Sequence, residues 1–300
     1  ATEDDGSCVY CASLDFLGND NFIEVNDIHF EDATGVTISF WAYDDDWSLP
    51  DNSESSFGYF VDFGSDDNYR YVIRWRDGVK GLQAYFEGDG FQSNQGEDCD
   101  GVGNDNCYTY GQTSATYIIP PFDFLNNPDI YNWWEDDGCA WKNITAVFCS
   151  NSVRLYIDGQ IVQQSVTNLY YPIPIFSLDP LDVKVIGADQ FGEQPCDVQI
   201  DEFRIWSRAL SDLEIQERLG DNIDINLDLL AEQNNEIGQL EGYWKFDSLS
   251  LINEVNDLIA VPNNLPIQFT NQYCGYGCDN KDYSVACFDN SNNDCDSCTP

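Results

Sequence analysis

The sequence is poor in basic residues, histidine and long apolar runs. It has 12 lysines and arginines against 54 aspartates and glutamates, giving a formal net charge of −42. Nucleic-acid backbones and anionic lipid surfaces repel such a chain, so we expect neither as a partner. His29 is the one histidine, so a Ser-His-Asp triad would have to use it, and no nucleophile-elbow motif is present. No apolar run reaches the roughly 18 residues of a membrane span, so we predict no membrane insertion.

Cysteine, in contrast, is abundant and even in number, at 12 residues. This favours disulfides and therefore a secreted, extracellular or cell-surface protein. Zinc is the alternative, because Cys8-x-x-Cys11 and Cys295-x-x-Cys298 have ligand-like spacing, but there is no clean four-ligand block. The cysteines expected in disulfides are Cys8, Cys11, Cys99, Cys107, Cys139, Cys149, Cys196, Cys274, Cys278, Cys287, Cys295 and Cys298.

Apolar and polar residues alternate along several short segments. Residues 36–43, 69–76 and 153–157 show period two, which predicts half-buried strands. Asp158-Gly159 predicts a hairpin turn after the third of them. Further strands are expected at Gly81 to Phe86, Val183 to Gly187, Ile200 to Trp206 and Tyr243 to Phe246.

Helix signals are few. Ser211-Asp212-Leu213-Glu214 is a capping box that starts a short helix to about Leu219, and residues 224–234 are a second candidate. Residues 92–138 are rich in Asn, Asp, Gly and Pro and predict a long insertion pinned by a Cys99–Cys107 disulfide. The pattern as a whole predicts an all-β fold, a two-sheet antiparallel jelly-roll sandwich with one or two short helices and Cys-rich termini.

The stretch from Trp141 to Leu219 resembles the laminin-G-like and pentraxin-like jelly rolls of the concanavalin A-like group. The residues that carry the resemblance include 153–159, 200–206 and 208–215. Near the start, residues 14–16 and 19–25 look like the opening hairpin of that family. The resemblance implies a jelly roll over residues 13–272, between Cys-rich linkers at 1–12 and 273–300.

The two ends resemble a short Cys-rich repeat of giant surface proteins from marine bacteria. Residues 1–8 look like the close of one repeat, and residues 277–298 look like a degenerate copy. The resemblance implies one unit of a tandem array, and two unrelated disulfide-capped termini are the alternative. The chain has no methionine, so we expect a processed chain or a segment of a longer one.

The segment that comes nearest to a catalytic carboxylate motif is Gln199-Ile200-Asp201-Glu202-Phe203. Glucanases of related sandwich folds place two glutamates around an aspartate on one strand, with the acid and nucleophile about 5 Å apart. Gln199 cannot be a nucleophile, and adjacent Asp201 and Glu202 are expected on opposite faces of a strand. We therefore predict that the chain is not an enzyme.

Calcium is the expected cofactor, because it binds six to eight oxygen ligands. The family resemblance nominates Asp20 or Asn21 together with Asp201 or Glu202. A second candidate is the Asp/Gly-rich stretch with Asp98, Asp100, Asn104 and Asp105, which resembles part of one thrombospondin-like calcium repeat. An acidic loop held by a disulfide is the alternative there.

Two further groups are candidates for ligand binding. Trp133-Trp134 could stack on sugar rings or anchor a partner, or else pack the insertion down. Arg70, Arg74 and Arg76 share a strand face and could clamp a carboxylate or sulfate, and cross-strand pairing with acids is the alternative. Asn143-Ile144-Thr145 is an N-glycosylation sequon, with Asn143 expected to point outward.

These features predict an extracellular surface module with a structural or adhesive role. We expect one subunit or repeat of a larger filament or surface assembly, stabilised by calcium, whose partners are its own copies or other surface proteins. A calcium-dependent lectin-like module that binds glycans is the first alternative, and a glycoside hydrolase that uses Glu202 is the second.

Overall fold

The computed structural model describes thirteen segments of the chain. They are residues 13–17, 21–25, 28–43, 57–64, 69–76, 81–87, 113–118, 142–149, 152–166, 176–217, 240–246, 251–263 and 268–270. In these segments the chain forms seventeen strands and one helix, which confirms the predicted all-β class. The predicted helix over 224–234 lies outside the described residues.

The first sheet has eight strands in the order β11-β10-β9-β4-β14-β1-β17, with β15 added beside β14. Its pairs are antiparallel. The strand bounds are β1 Ser13–Leu17, β4 Gly35–Tyr43, β9 Lys142–Cys149, β10 Ser152–Ile157, β11 Gln160–Val166, β14 Asp197–Trp206, β15 Leu240–Trp244 and β17 Gln268–Thr270.

The second sheet has seven strands in the order β16-β2-β13-β5-β6-β7-β8. Its pairs are antiparallel too. The bounds are β2 Phe22–Glu24, β5 Phe57–Gly64, β6 Arg70–Arg76, β7 Gly81–Glu87, β8 Thr113–Ile118, β13 Val183–Ile186 and β16 Val261–Asn263, while β3 Phe30–Ala33 and β12 Phe176–Leu178 form a small sheet of their own.

The core lies between the two large sheets and is rich in aromatic rings. Phe203 of β14 stacks on Phe40 of β4, with ring centroids 5.9 Å apart, and contacts Phe63 of β5 at 5.9 Å. Tyr71 of β6 meets Phe148 of β9 edge-on at 5.5 Å. The contacts of Phe203 with Phe63 and of Tyr71 with Phe148 join strands of opposite sheets and confirm the predicted two-sheet sandwich.

Local sequence signals explain the hairpin of β10 and β11. Asp158 and Gly159 have φ angles of 47° and 67°, which is the left-handed pair that a type I′ turn requires. Ile157 then pairs with Gln160 across the turn. Along β10, Val153 and Leu155 face the core and Tyr156 faces outward, so the predicted alternation is confirmed.

Two parts of the topology differ from the expectations. The predicted opening hairpin is wrong, because β1 pairs with β14 and β17 while β2 pairs with β13 and β16 of the other sheet. Within the predicted insertion at 92–138, β8 pairs along β7 as a strand of the second sheet. The domain limits near residues 12 and 272 stay a prediction, since 1–12 and 273–300 lie outside the described residues.

The outer face of the first sheet is covered by the chain itself. Helix α1 (Asp212–Glu217) and the segment before it lie on β4 and β10. Leu210 N donates to Thr37 Oγ1 (3.0 Å), and Thr37 Oγ1 donates to the Arg208 carbonyl (2.8 Å). A Cβ at Gly35 would lie 2.7 Å from the Cβ of Ala209, so this close approach needs glycine. Strand β4, predicted to be half-buried, is therefore buried on both faces.

Candidate functional site

The predicted arginine face of β6 is held together by contacts within its own sheet. Arg70 donates to both carboxylate oxygens of Asp62 on β5, at 2.8 and 2.7 Å. Asp62 also accepts from the backbone N of Gln190 at 2.9 Å. Burial raises the pKa of Asp62, and the charge and hydrogen bonds of Arg70 oppose that rise. Arg70 therefore pairs with an acid on the neighbouring strand, which was the alternative to clamping a carboxylate or sulfate ligand.

Arg74 of the same face lies between two aromatic rings. Its guanidinium carbon is 5.4 Å from the ring centre of Tyr59 and 4.9 Å from that of Tyr85. It donates to the Tyr59 hydroxyl (2.6 Å) and to Gln83 Oε1 (2.9 Å). Tyr59, Val72 and Tyr85 form a buried cluster beside Arg74. This part of the outer face of the second sheet is therefore withdrawn from solvent. The Arg76 side chain lies outside the described residues.

The carboxylate of Glu202 is bound within a buried network of hydrogen bonds. A bulge between Asp201 and Arg204 interrupts the pairing of β14 with β4, and Glu202 has a φ of 51°. Glu202 accepts from Arg204 and from the Tyr243 hydroxyl, and the Arg204 guanidinium lies 4.4 Å from the Tyr243 ring centre. Burial raises the pKa of Tyr243, so this phenol stays a donor.

The bulge corrects the expectation that Asp201 and Glu202 point to opposite faces. Asp201 lies opposite Trp41 on the outer side of the sheet, and the contact of Glu202 with Tyr243 is on that same side. The extra residue of a bulge breaks the strict alternation of a strand. Both side chains are nonetheless buried, and Asp201 Oδ1 accepts from the Glu202 backbone N at 2.8 Å.

The described residues of the first predicted calcium set come from both sheets. Asn21 immediately precedes β2 in the second sheet, whereas Asp201 and Glu202 belong to β14 in the first. The described segments hold no group of three or more His, Cys, Asp or Glu side chains with metal-ligand geometry. The other predicted ligands, Asp20, Asp98, Asp100, Asn104 and Asp105, lie outside the described residues, as do Trp133 and Trp134. Calcium stays a prediction.

The sequon asparagine is buried, which corrects its predicted exposure. Asn143 points away from the core as expected, but the cover of α1 lies on that face and leaves it 2% exposed. Its Nδ2 donates to Ser39 Oγ (3.3 Å), and its Oδ1 accepts from Thr145 Oγ1 (2.9 Å). The adjacent cavity, lined also by Arg204 and Ile215, has a volume of about 10 Å³, which is room for one water. The folded chain therefore has no room for a glycan here.

Two of the predicted disulfide cysteines can be located. Cys149, at the end of β9, carries a free thiol, against the prediction for this residue. Its cross-strand neighbours are Gly35 and Ser152, so no sulfur lies opposite it. The thiol of Cys196 donates to the Gly187 carbonyl at 3.6 Å. The other ten cysteines lie outside the described residues, and their disulfides stay a prediction.

The surface with the strongest functional signal is an apolar corner formed by β13 and β16 of the second sheet and by the loops that precede these two strands. In the described segments nine large apolar side chains are exposed, and six of them belong to the start of β13 or to the chain from Leu251 to β16. We define the apolar corner by these six: Leu181, Val183, Ile252, Leu258, Ile259 and Val261. Leu181 is 93% exposed and Ile259 is 64% exposed.

The strand register brings the two halves of the corner together. Glu24 of β2 pairs with Val185 on one side and with Val261 on the other. Val25 N donates to the Lys184 carbonyl (3.0 Å), which continues this pairing toward Val183. Strands lie about 4.8 Å apart, so Val185 and Val261 lie on one face about two strand spacings apart. Val183 lies on the same face, two residues before Val185 along β13.

Hydrogen bonds hold the backbone of the two loops that carry the exposed side chains of the corner. In the turn before β13, Leu181 N donates to Asp179 Oδ1 (2.8 Å) and Asp179 N donates to Asp182 Oδ2 (2.9 Å). In the loop before β16, Asn253 N donates to the Leu258 carbonyl (2.7 Å) and Asn253 Oδ1 accepts from Tyr243 N (2.9 Å). A surface that is already ordered loses less entropy when it binds.

Sequence reasoning did not find the corner, for a physical reason. Its six residues come from a turn, a loop and two short strands, and none of these segments has a long apolar period. The pairing of β2 between β13 and β16 joins them, and neither segment encodes that pairing locally. Single exposed apolar residues are ordinary on protein surfaces, so only their grouping carries the signal.

Comparison with known proteins supports the fold. The family model Laminin_G_3, of the concanavalin A-like lectin/glucanases superfamily, matches residues 136–216. This match confirms the resemblance noted for Trp141 to Leu219. Among curated proteins, no sequence matches this chain significantly.

Solved structures give distant likenesses only. A candidate carbohydrate binding protein from Bacteroides ovatus aligns at 13% identity and a TM-score of 0.49, covering 87% of this chain and 60% of that one. The binding domain of botulinum neurotoxin DC, in complex with SialylT, aligns at 13% identity and a TM-score of 0.34, covering 62% of this chain and 35% of that one. The present chain thus spans less than two thirds of the length of each of these proteins, and at such scores they bear on neither its ligand nor its partner.

Proposed function

We propose that this chain is a non-catalytic extracellular adhesive module that docks onto other proteins through its apolar corner. The observation that carries the proposal is that six of the nine exposed large apolar side chains in the described segments lie on β13, on β16 and on the loops that precede them, and that β2 pairs with both of these strands. Grouped apolar exposure marks protein interaction sites, whereas scattered exposure does not. Such a module is one subunit or repeat of a larger surface assembly.

The composition supports the extracellular and adhesive parts of the proposal. A net charge of −42 and 12 cysteines suit an extracellular chain kept soluble by its charge. In the described segments no helix has the length and hydropathy to cross a membrane.

The non-catalytic part of the proposal is supported by the residue at position 199 and by the hydrogen bonds of Glu202, both on β14. Gln199 stands where glucanases of related folds carry a glutamate, and the Glu202 carboxylate is bound by Arg204 and Tyr243 in a buried network. A retaining hydrolase needs two carboxyl groups that both reach the substrate. Glycan hydrolysis that is lost on changing Glu202→Gln would overturn this part.

A photo-cross-linking experiment tests the docking surface. The photoreactive residue p-benzoylphenylalanine is placed at position 259 of the full chain in its native surface material, and in a second variant at position 161. Ile161 of β11 is exposed to a similar degree, 46%, but it lies at the edge of the other sheet. We expect interprotein cross-links from position 259 and few from 161. Equal yields from the two positions would contradict the proposal.

The lectin-like alternative rests on the match of residues 136–216 to a superfamily that includes lectins. Calcium, in that alternative and in the adhesive module, would be held by the acidic stretch at 98–105. A glycan array with and without chelator tests both points. Calcium-dependent glycan binding that survives changes at the apolar corner would favour the lectin over the adhesive module.

A further inference from the structure

We propose that the partner docked at the apolar corner presents an apolar centre bordered by lysine or arginine side chains. This inference rests on the proposed function and adds the chemistry of the partner. It is carried by the charges that surround the corner, which in the described segments are of one sign.

Acidic side chains stand among the apolar ones. Asp179 is exposed at the turn that presents Leu181, and Glu254 and Asp257 are exposed in the loop that presents Ile252 and Leu258. A partner cation placed at this rim meets carboxylates without having to enter the apolar centre. The corner can therefore combine apolar burial with charge pairing.

Lys184, the one cation in the segments 21–25, 176–185 and 251–263, is withdrawn from the surface. Its side chain is fully buried. Its Nζ donates to the carbonyls of Asp179 (2.8 Å) and Asp182 (2.7 Å), and lies 3.4 Å from that of Pro180. The ammonium thus holds the turn from inside and presents no charge to a partner. The surface that remains is apolar and acidic.

A second copy of the chain fits this surface poorly. With 54 acidic and 12 basic residues, one copy has few cations to offer another, and two copies repel each other at long range. Arg70 and Arg74, the described arginines of β6, are held by Asp62, Gln83 and Tyr59. A separate protein with a basic rim is the complementary partner.

The test uses two synthetic amphipathic helical peptides as probes. Both carry leucine on one face, and the other face carries lysine in the first peptide and glutamine in the second. Binding to the intact chain is measured by fluorescence anisotropy at 0.15 M salt, where the Debye length is about 8 Å and remote charges are screened. We expect the lysine peptide to bind at least about tenfold more tightly than the glutamine peptide.

Three variants locate the binding. Leu181→Ser with Ile259→Ser should weaken the lysine peptide about tenfold or more, because the apolar centre is lost. Glu254→Gln with Asp257→Asn should weaken it about fivefold, because two rim charges are lost. The control Ile161→Ser, on the other sheet, should change it less than about twofold.

The outcomes separate the inference from the function on which it rests. If the two peptides bind equally and both are lost in Leu181→Ser/Ile259→Ser, the docking surface stands and the basic partner is wrong. If the lysine peptide binds this variant as well as the unmodified chain, its binding reflects overall charge, and both proposals fail. Self-association in sedimentation velocity that disappears in the same variant would identify a second copy as the occupant and overturn the inference.

Discussion

The outer faces of the two sheets both carry apolar side chains, but at one corner of the second sheet several of these side chains are exposed. On the first sheet, α1 and the segment before it bury Val147, Tyr156 and Trp206, which cluster with Leu210 and Ile215. At the corner of the second sheet, Val183 and Val261 remain exposed. The first face shows what the fold does with apolar surface that it needs for stability. The second shows apolar surface that stays exposed to solvent.

The cover of the first sheet is attached by specific polar contacts as well as by packing. Arg154 of β10 donates to the Leu210 carbonyl (2.8 Å) and pairs with Asp212 (2.5 Å), which also accepts from the Tyr156 hydroxyl (2.7 Å). Such contacts fix where the cover lies, while apolar burial supplies most of the free energy. The apolar corner has hydrogen bonds that order its loops and no described element above it.

The largest effect on stability is expected beneath the cover, at the Glu202–Arg204 pair. Glu202→Ala should lower the free energy of unfolding by about 3–5 kcal/mol, because it leaves a buried guanidinium without its carboxylate. The double variant Glu202→Leu/Arg204→Leu should recover much of the loss, since it removes both charges. Urea unfolding measures both, and a loss below about 1 kcal/mol for Glu202→Ala would contradict the buried pair.

The next effect separates the two sides of α1. Ile215 is 3% exposed and packs on the first sheet, whereas Leu213 is 62% exposed on the same helix. Ile215→Ala should cost about 2–4 kcal/mol of unfolding free energy and Leu213→Ala less than about 1 kcal/mol. Equal losses in thermal unfolding would mean that α1 does not cover the sheet as described.

A smaller, pH-dependent effect is expected at the capping box of α1. Burial disfavours the charge of Glu214, but hydrogen bonds from Arg208 and Ser211 prevail and lower its pKa from 4.5 to about 2. A lowered folded-state pKa stabilises the fold above pH 4.5 and loses that contribution as the pH falls toward 2. Because Glu214 is partly exposed, Glu214→Gln should cost only about 1 kcal/mol at pH 6. The cost should vanish near pH 2, and a cost independent of pH would contradict the assignment.

The smallest effect on stability is expected at the apolar corner. Leu181→Ser or Ile259→Ser should change the free energy of unfolding by less than about 0.5 kcal/mol, because these side chains are already exposed to water. The same changes should abolish docking. A loss of several kcal/mol in chemical unfolding would show that the corner is covered within the chain, and the contrast between the two faces would disappear.

Local patterns allowed much of the fold to be predicted, and long-range pairing set the rest. The Asp158-Gly159 turn and the Ser211–Glu214 capping box depend on neighbouring residues, and both are confirmed, with Ser211 N donating to Glu214 Oε2 at 2.8 Å. The crossing from β1 to β2 depends on which distant strands pair, and the sequence pattern does not encode this. The place of β8 at the edge of the second sheet likewise depends on its pairing with β7, which the sequence pattern does not encode.

In the candidate site, too, the features set by local sequence were predicted and those set by long-range contacts were missed. The arginine face of β6 was predicted because period two is local, and the cross-strand alternative was right for Arg70. The burial of Asn143 was missed because its cover comes from residues 207–217, far along the chain. The apolar corner was missed because β2 joins segments more than sixty residues apart in sequence.

The most direct test of the docking surface compares its solvent exposure in the isolated chain and in native surface material. Hydroxyl-radical footprinting with mass spectrometry reads Leu181, Leu258 and Ile259, with exposed Ile161 and Leu213 as internal references. The account predicts that the three corner residues are labelled strongly in the isolated chain and are protected in the assembled material, while the references are unchanged. Equal labelling of the corner in both states would contradict the account.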